Sequence, residues 1–218
     1  MAPYDRGTER DRDGIDVSDH TPQPPKVPSP KMEKDKVRFG LRGEWRDQVI
    51  EKDPETGEER MIEDTGWKSN QIVTNIQPLL AGLMANAVSF TGGILFHAQG
   101  RGNPAFDVTL PTPSFGETSL RDEFFRKEPD SITFIDEDTG NPAGPGIFTR
   151  VIRVKTTIDF NEANGEVIRE HGLYGGTATA ATDSGLLANL IFHEARFKNN
   201  TIKLIRFIQL TFDATASA

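Results

Sequence analysis

The sequence predicts a mainly β protein: an antiparallel β-sandwich or jelly-roll-like domain with one helix, preceded by an extended N-terminal arm. Two observations support this prediction. Between residues 36 and 218, short apolar runs alternate with turn residues at hairpin spacing, which is typical of antiparallel sheets. The first 35 residues are instead polar and rich in proline, and six of the 14 prolines fall within the first 30 positions.

The composition excludes several functional classes. A chain of 218 residues with a net charge of -8 repels the phosphate backbone, so we expect no direct nucleic-acid partner. No apolar run approaches the roughly 20 residues that span a bilayer, and the opening residues lack the apolar stretch of a signal peptide, so we expect synthesis in a cytoplasm and no membrane partner. The absence of cysteine excludes disulfides, thiolate nucleophiles and cysteine-based zinc sites.

Residues 1–35 form the predicted arm, and residues 36–218 form the predicted β-sandwich domain. The arm alternates charged residues with prolines and has too few apolar side chains to build a core. Its stretch 21–31 favours polyproline II, which extends about 3.1 Å per residue. The arm is either a solvated tail or a segment that docks on a neighbouring protein. In the second case its candidate contacts are Pro22, Pro24, Pro25, Val27 and Pro28.

The first elements of the domain follow from periodicity. A strand begins at Lys36, where apolar and polar residues alternate, and residues 53–58 predict a hairpin loop after it. One helix follows, and we favour Asn75 over Asn70 as its cap because a start at Asn75 places Pro78 in the first turn. Apolar residues at spacings of three and four predict its buried face: Ile72, Ile76, Leu79, Leu80, Leu83 and Ala87.

The rest of the domain is predicted to consist of strands. A short strand over residues 94–98 precedes a long loop over residues 99–115, and loops of this length often contact partners. Further strands are predicted over residues 131–135, 148–160, 167–174, 186–196 and 201–212. The last strand is apolar on both faces, which places it in the middle of a sandwich or beneath a partner.

No motif predicts catalysis or a metal. The four histidines lie far apart in the sequence and lack paired metal-ligand spacing. Glu170 and His171 are adjacent on a predicted strand, so their side chains point to opposite faces, and the same holds for His193 and Glu194. The acidic residues 136–138 depart from calcium-loop spacing and indicate a solvated turn. With no phosphate-binding loop or nucleophile elbow, we expect no catalytic residue, cofactor or metal.

Phe124 and Phe125 lie within a densely charged segment. Such aromatics are equally typical of core packing beneath an amphipathic edge and of anchors in a protein interface, where aromatic and arginine side chains contribute much of the binding energy. This segment and the preceding loop supply the candidate partner contacts of the domain: Arg101, Phe106, Phe115, Arg121, Phe124, Phe125 and Arg126.

The order of segments resembles a loosely defined group of small tailed-phage virion proteins from tails, collars, head decorations and fibre bases. The similarity covers residues 37–212. It rests on residues 66–75 (GWKSNQIVTN) before the helix, residues 118–123 (TSLRDE), and residues 170–174 (EHGLY) followed by the apolar strand 186–192. The resemblance implies an oligomeric β-domain that binds other virion proteins, and it supplies no catalytic residues.

We therefore expect a non-enzymatic virion protein, made in the host cytoplasm, that acts as a capsid decoration or cement protein or as a neck or collar component. Its expected partners are copies of itself and the major capsid, portal, neck or tail proteins. A tail, baseplate or fibre-adaptor position is the alternative. A carbohydrate-binding or glycan-cleaving module is a third hypothesis, in which aromatics stack on sugars and acidic residues act as acid and base. Its candidate residues are Trp45, Trp67, Tyr174, Glu117, Asp122 and Glu123.

Overall fold

A computed structural model describes the backbone of residues 37–216 and the side chains of residues 40–213. The predicted arm lies outside the described residues, and so do its candidate contacts Pro22, Pro24, Pro25, Val27 and Pro28. The boundary between arm and domain therefore stays a prediction.

One antiparallel sheet, sheet A, forms around two long strands, β1 and β11, which pair from Val37 opposite Ala216 to Glu51 opposite Ile202. The order of its main strands is β2-β1-β11-β8-β7, and the two-residue β3 also pairs with β1. The strands are β1 (Val37–Lys52), β2 (Glu59–Asp64), β3 (Lys68–Ser69), β7 (Ser131–Phe134), β8 (Val151–Ile158) and β11 (Ile202–Ala216).

The second antiparallel sheet, sheet B, has the order β4-β10-β9-β5-β6. Its strands are β4 (Gln71–Ile72), β5 (Gly92–Gly100), β6 (Glu123–Lys127), β9 (Glu166–Gly176) and β10 (Leu186–Lys198). The pairing of β9 with β10 shifts register twice, so the set of residues that faces the core changes along both strands.

The helix α1 spans Ile76–Met84, with Asn75 as its N-cap residue. This confirms the later of the two predicted starts. The apolar spacing of three and four continues beyond the helix, because Ile72 belongs to β4 and packs on the same core cluster as Ile76 and Leu79. In the part of the chain that the structure describes, no helix has the length and apolar character needed to cross a membrane.

The two sheets pack face to face, and this confirms the predicted sandwich. One buried apolar cluster draws on strands of both sheets and on α1: Trp45, Ile72, Ile76, Leu79, Val154, Leu173, Ala188, Ile191, Ile208 and Leu210. A second cluster extends the same layer: Val49, Ile158, Ile168 and Leu204. The last strand, β11, lies between β1 and β8, so its apolar character on both faces reflects a central position within sheet A.

Sheet B is covered on its outer face by the long loop that follows β5. The loop runs to β6 and contains a short 3₁₀ turn, Pro104–Asp107. Phe106 and Leu120 from this loop pack in a third buried cluster against Tyr174 and Leu190 of the sheet. Residues 123–127 form an edge strand that the sequence analysis did not predict, since charged residues interrupt its apolar pattern.

Candidate functional site

Three histidines that are far apart in the sequence meet between the two sheets. His97, His171 and His193 lie on β5, β9 and β10, and all three are buried. The ring centroids of His97 and His171 are 5.0 Å apart, and those of His171 and His193 are 5.5 Å apart. Trp45 on the opposing sheet lies edge-on to His171, with 5.6 Å between ring centroids. We call these histidines, with the polar residues that face them, the inter-sheet polar layer.

Sheet A contributes a buried ion pair to this layer. Arg206 Nη2 lies 3.3 Å from Asp47 Oδ2, and both side chains are at most 1% exposed. The same Nη2 donates to His193 Nε2 at 3.2 Å, while His193 Nδ1 donates to the carbonyl oxygen of Glu194 at 2.7 Å. Because an arginine only donates, this arrangement requires a neutral His193 with its proton on Nδ1.

Burial controls the charge states in the inter-sheet polar layer. It lowers the pKa of His97, His171 and His193 well below the usual histidine value, and the positive charge of Arg206 lowers each further. Burial also raises the pKa of Asp47, although Arg206 opposes this. It lowers the pKa of Arg206 to about 10. All three histidines are therefore neutral at pH 7, and the layer contains the Arg206 and Asp47 pair as its main charges.

Many polar atoms of this layer make no hydrogen bond. They are Asp47 Oδ1 and Oδ2, His97 Nδ1, both amide atoms of Gln99, Thr156 Oγ1, His171 Nε2, and Arg206 Nε and Nη1. Asp47 and Arg206 are close enough for an ion pair, but their geometry does not make a hydrogen bond. Each unsatisfied buried group costs about 1 to 3 kcal/mol. Within the described residues, no group of three or more histidine or acidic side chains is positioned to hold a metal ion.

A second set of buried polar side chains holds the long loop on the outer face of sheet B through hydrogen bonds. Glu170 Oε1 accepts hydrogen bonds from the backbone amides of Arg121 and Asp122, both at 2.9 Å. Tyr174 Oη accepts from the backbone amide of Leu120, also at 2.9 Å. Burial raises the pKa of Glu170. Because His171 faces the other side, the structure confirms that adjacent acid and imidazole point to opposite faces.

Arg126, a predicted partner contact, is used inside the domain. It forms an ion pair with Glu123 at 2.6 Å, and both side chains are at most 1% exposed. Its guanidinium lies 4.4 Å from the ring centroid of Tyr174 and donates to the carbonyl oxygen of Ser184 at 3.0 Å. The side chain therefore joins β6 to the loop between β9 and β10.

The other arginines in the predicted partner segments also have intramolecular contacts. Arg101 pairs with Glu166 at 2.7 Å and lies over the ring of Phe124, 4.8 Å from its centroid. Arg121 lies over the buried ring of Phe106, 5.1 Å from its centroid.

Phe124 and Phe125 are half-buried on β6 and pack against the cluster that contains Ile158 and Ile168. The structure thus favours the core-packing interpretation of both aromatics.

Phe115 is the most exposed aromatic among the predicted contacts of the domain, with 52% of its surface exposed. It lies at the rim of a groove of about 490 Å³ beside the start of β1. We call this the β1 groove. Its apolar lining is Leu41, Ile72, Ile76, Leu80 and Phe115, and its polar lining is Arg42, Glu44, Ser69, Asn70, Gln71 and Gln77. Both amide atoms of Asn70 are buried there without a hydrogen-bond partner.

The residues suggested for sugar binding do not form a platform. Trp45 and Tyr174 are buried in separate clusters, on opposite faces of sheet B. Trp67 is partly exposed, but it packs on Phe207 at 6.4 Å between ring centroids and against the guanidinium of Arg153. Glu123, proposed as a catalytic acid or base, is held in the buried pair with Arg126.

The histidine cluster is not evident from the sequence because the three residues belong to different strands. A signal was present in the local pattern. His97 and His193 stand within apolar runs, in residues 94–98 (ILFHA) and 190–195 (LIFHEA), whereas His171 follows Arg169 and Glu170 and carries no such signal. A polar residue within such a run lies in a strand whose neighbours are buried, which indicates burial of the histidine as well.

Comparison with known proteins supplies no identity. No protein-family model matches the sequence, and a search of curated proteins finds no significant similarity. Function is therefore inferred from the chemistry and geometry of the chain's own residues.

Proposed function

We propose that this chain is a non-enzymatic structural protein of a tailed-phage particle, which binds neighbouring virion subunits as a capsid decoration or cement protein or as a neck or collar component. The observation that carries the proposal is the β1 groove. It is an open depression with apolar and polar walls, and it is lined in part by β1, the first described strand. An acceptor surface beside an extended arm suits a protein that assembles with its neighbours.

Exposed apolar side chains elsewhere support a binding role. Phe148 is 80% exposed, and Ile147 beside it is also exposed. The ring of Phe148 meets that of Phe134 edge-on, with 5.2 Å between centroids. Apolar side chains that stay clustered in solvent are typical of surfaces that contact another protein.

The test is density-gradient co-sedimentation of the full-length protein with empty phage heads and, separately, with purified tails. Phe115→Ser removes the apolar rim of the β1 groove, and Phe197→Ser removes a similarly exposed phenylalanine on β10 as a matched control. We expect the wild-type protein and Phe197→Ser to sediment with heads, and Phe115→Ser to bind less.

Sedimentation with tails alone would move the protein to the tail or baseplate. If neither particle carries the wild-type protein down, the virion role is wrong.

A further inference from the structure

The β1 groove has an unpaired strand edge along one side. β1 pairs with β11 along its whole length, but on its other edge β3 and β2 pair only from Glu44 onward. The amide of Asn70 donates to the Gly43 carbonyl at 3.0 Å, so the backbone groups of Gly43 point toward the groove. Backbone groups two residues apart on a strand point the same way, so the N–H and C=O of Leu41 also point toward the groove. No described residue forms a hydrogen bond with them.

The groove also offers a side-chain donor that has no partner. Asn70 Nδ2 is buried beside Gly43, where no larger residue would fit, because a Cβ there would lie 1.8 Å from Asn70 Oδ1. An unsatisfied amide in a partly apolar groove is stabilised by any ligand that brings a carbonyl oxygen to it. Apolar walls, an aromatic rim at Phe115 and amide donors form the kind of groove that binds polyproline II segments.

Residues 21–31 (TPQPPKVPSPK) fit this groove chemically. Five of these residues are prolines, which lack the N–H that a strand needs, so the segment cannot pair along the β1 edge as a regular strand. It presents carbonyl acceptors and the apolar side chains of Val27 and its prolines. It also carries two lysines and no acidic residue, in a chain of net charge -8. Glu44, at the groove wall, offers the lysines a counter-charge.

The chain geometry favours a segment from another copy. Lys31 precedes Leu41 by ten residues in the sequence, and ten residues of extended chain span about 30 Å. Returning to its own groove requires a reversal within residues 32–36 (MEKDK). This stretch contains no glycine, proline or asparagine, and Asp35 is its one residue of a type that favours turns.

We propose that the β1 groove binds residues 21–31 of a second copy of this chain, so that copies join by exchanging arms. This inference deepens the proposed assembly role, since it names the arm's partner and its acceptor site. Asn70 donates to a carbonyl of the incoming segment, Phe115 packs on its prolines, and Glu44 faces one of its lysines.

Cysteine cross-linking tests this directly, because the wild-type chain contains no cysteine. Full-length Val27→Cys is mixed with full-length Gln77→Cys, whose exposed side chain lines the groove, or with Thr56→Cys, in the exposed hairpin between β1 and β2. One partner carries an added tag, so that the mixed dimer has its own mobility on a non-reducing gel. We expect the pair with Gln77→Cys to cross-link at least about tenfold faster than the pair with Thr56→Cys, because docking raises the effective concentration.

Two results would overturn the proposal. Equal rates for the two pairs would overturn the proposal. Ser69→Cys, on the groove's polar wall, repeats the test in case Gln77→Cys disturbs α1, and each variant is checked for a wild-type circular dichroism spectrum. A chain with both Val27→Cys and Gln77→Cys that closes only onto itself would show docking in its own groove and would also refute the second copy as the occupant.

The cross-linking assay contains no phage particle, so its outcome is separate from that of co-sedimentation. Cross-linking without particle binding would keep arm exchange and refute the virion role. Particle binding without cross-linking would keep the virion role and refute arm exchange.

Discussion

Sheet B buries polar residues on both of its faces, but the two faces differ in how many of these polar groups form hydrogen bonds. On the outer face, Glu170 and Tyr174 accept hydrogen bonds from the loop, and Arg126 is bound to Glu123 and to loop carbonyls. On the inner face, the inter-sheet polar layer leaves many donors and acceptors without partners, including His171 Nε2. The outer face has most of its polar groups satisfied, with Glu170 Oε2 as an exception.

This difference shows that burial of polar groups serves two purposes in one sheet. The outer groups fix the position of a loop, because each backbone amide that donates to them would otherwise lack a hydrogen-bond partner. The inner groups contribute little net stability, since desolvation is not offset by good hydrogen bonds. The free energy of unfolding should therefore depend strongly on the charges of the inner layer. On the outer face it should depend on single hydrogen bonds.

The largest effect is expected from removing one charge of the inner pair. Arg206→Met leaves Asp47 buried without its counter-ion, which costs about 3 to 5 kcal/mol of unfolding free energy. Urea unfolding followed by tryptophan fluorescence measures this loss, because Trp45 lies in the core. The double variant Arg206→Met with Asp47→Leu should lose clearly less, since no unpaired charge remains. A loss below about 1 kcal/mol for the single variant would show that the pair is not truly dehydrated.

Acid should destabilise the inner layer to a comparable extent. The pKa of each buried histidine is lowered in the folded state, so below about pH 6.5 the unfolded chain binds more protons and stability falls. Three such histidines together lose about 4 kcal/mol between pH 7.5 and pH 5.5. His193→Gln should reduce this loss by about one third, whereas His20→Gln in the predicted arm should leave it unchanged.

Burial sets the direction of the effect on these histidines, and nearby positive charges add to it. Arg206, Arg196 and Lys68 disfavour an imidazolium at His193. The pKa values of Asp47 and Glu170 are raised, so these carboxyls act oppositely: their contribution is present at low pH and is lost as pH rises through the folded-state pKa. Unfolding free energies that stay level from pH 7.5 to pH 5.5, with the His193→Gln variant matching wild type, would show that the histidines are solvated.

On the outer face, loss of one hydrogen bond should have a smaller effect. Tyr174→Phe keeps the ring beneath Arg126 but leaves the Leu120 amide unpaired, at a cost of about 1 to 3 kcal/mol. Hydrogen exchange at Leu120 should accelerate, and urea unfolding should show the lower stability. The chain's other tyrosine provides the control, since Tyr4→Phe lies in the predicted arm. Unchanged exchange at Leu120 would mean that the loop is held by other contacts.

The smallest effect is expected at the surface of sheet A. Arg60 pairs with Glu51 across the β1 and β2 hairpin, and the arginine side chain is 76% exposed. Solvent screens such a pair, so Arg60→Ala should leave the urea midpoint unchanged within error. A clear shift would indicate that exposed ion pairs stabilise this hairpin and would weaken the contrast between buried and surface charges.

Local pattern was enough to predict most of the fold. The hairpin loop at residues 53–58, the helix start after Asn75 and the long strands all follow from periodicity and turn chemistry, and the structure confirms them. The edge strand β6 is not evident from the sequence because Arg126 and Glu123 hide its apolar pattern. The contacts that bury Arg126, with Tyr174 and Ser184, are long-range and follow from no local rule.

The candidate site was less predictable than the fold. Of the predicted contacts in the domain, Phe115 lines an open groove. Arg101, Arg121 and Arg126 instead form ion pairs or ring contacts with residues of the same domain. The groove itself combines residues from β1, β4, α1 and the long loop. Side chains from such distant segments meet only when both sheets have formed.

The amino-acid sequence by itself determined that this protein is a β-sandwich, because alternation and turn residues act over a few positions. It also determined which segment is unsuited to a core, because prolines and charges in residues 1–35 provide too little apolar surface to bury. Tertiary structure alone decided that His97, His171 and His193 share one layer with Arg206. Strand order and register place these residues opposite each other, and both depend on the packing of two whole sheets.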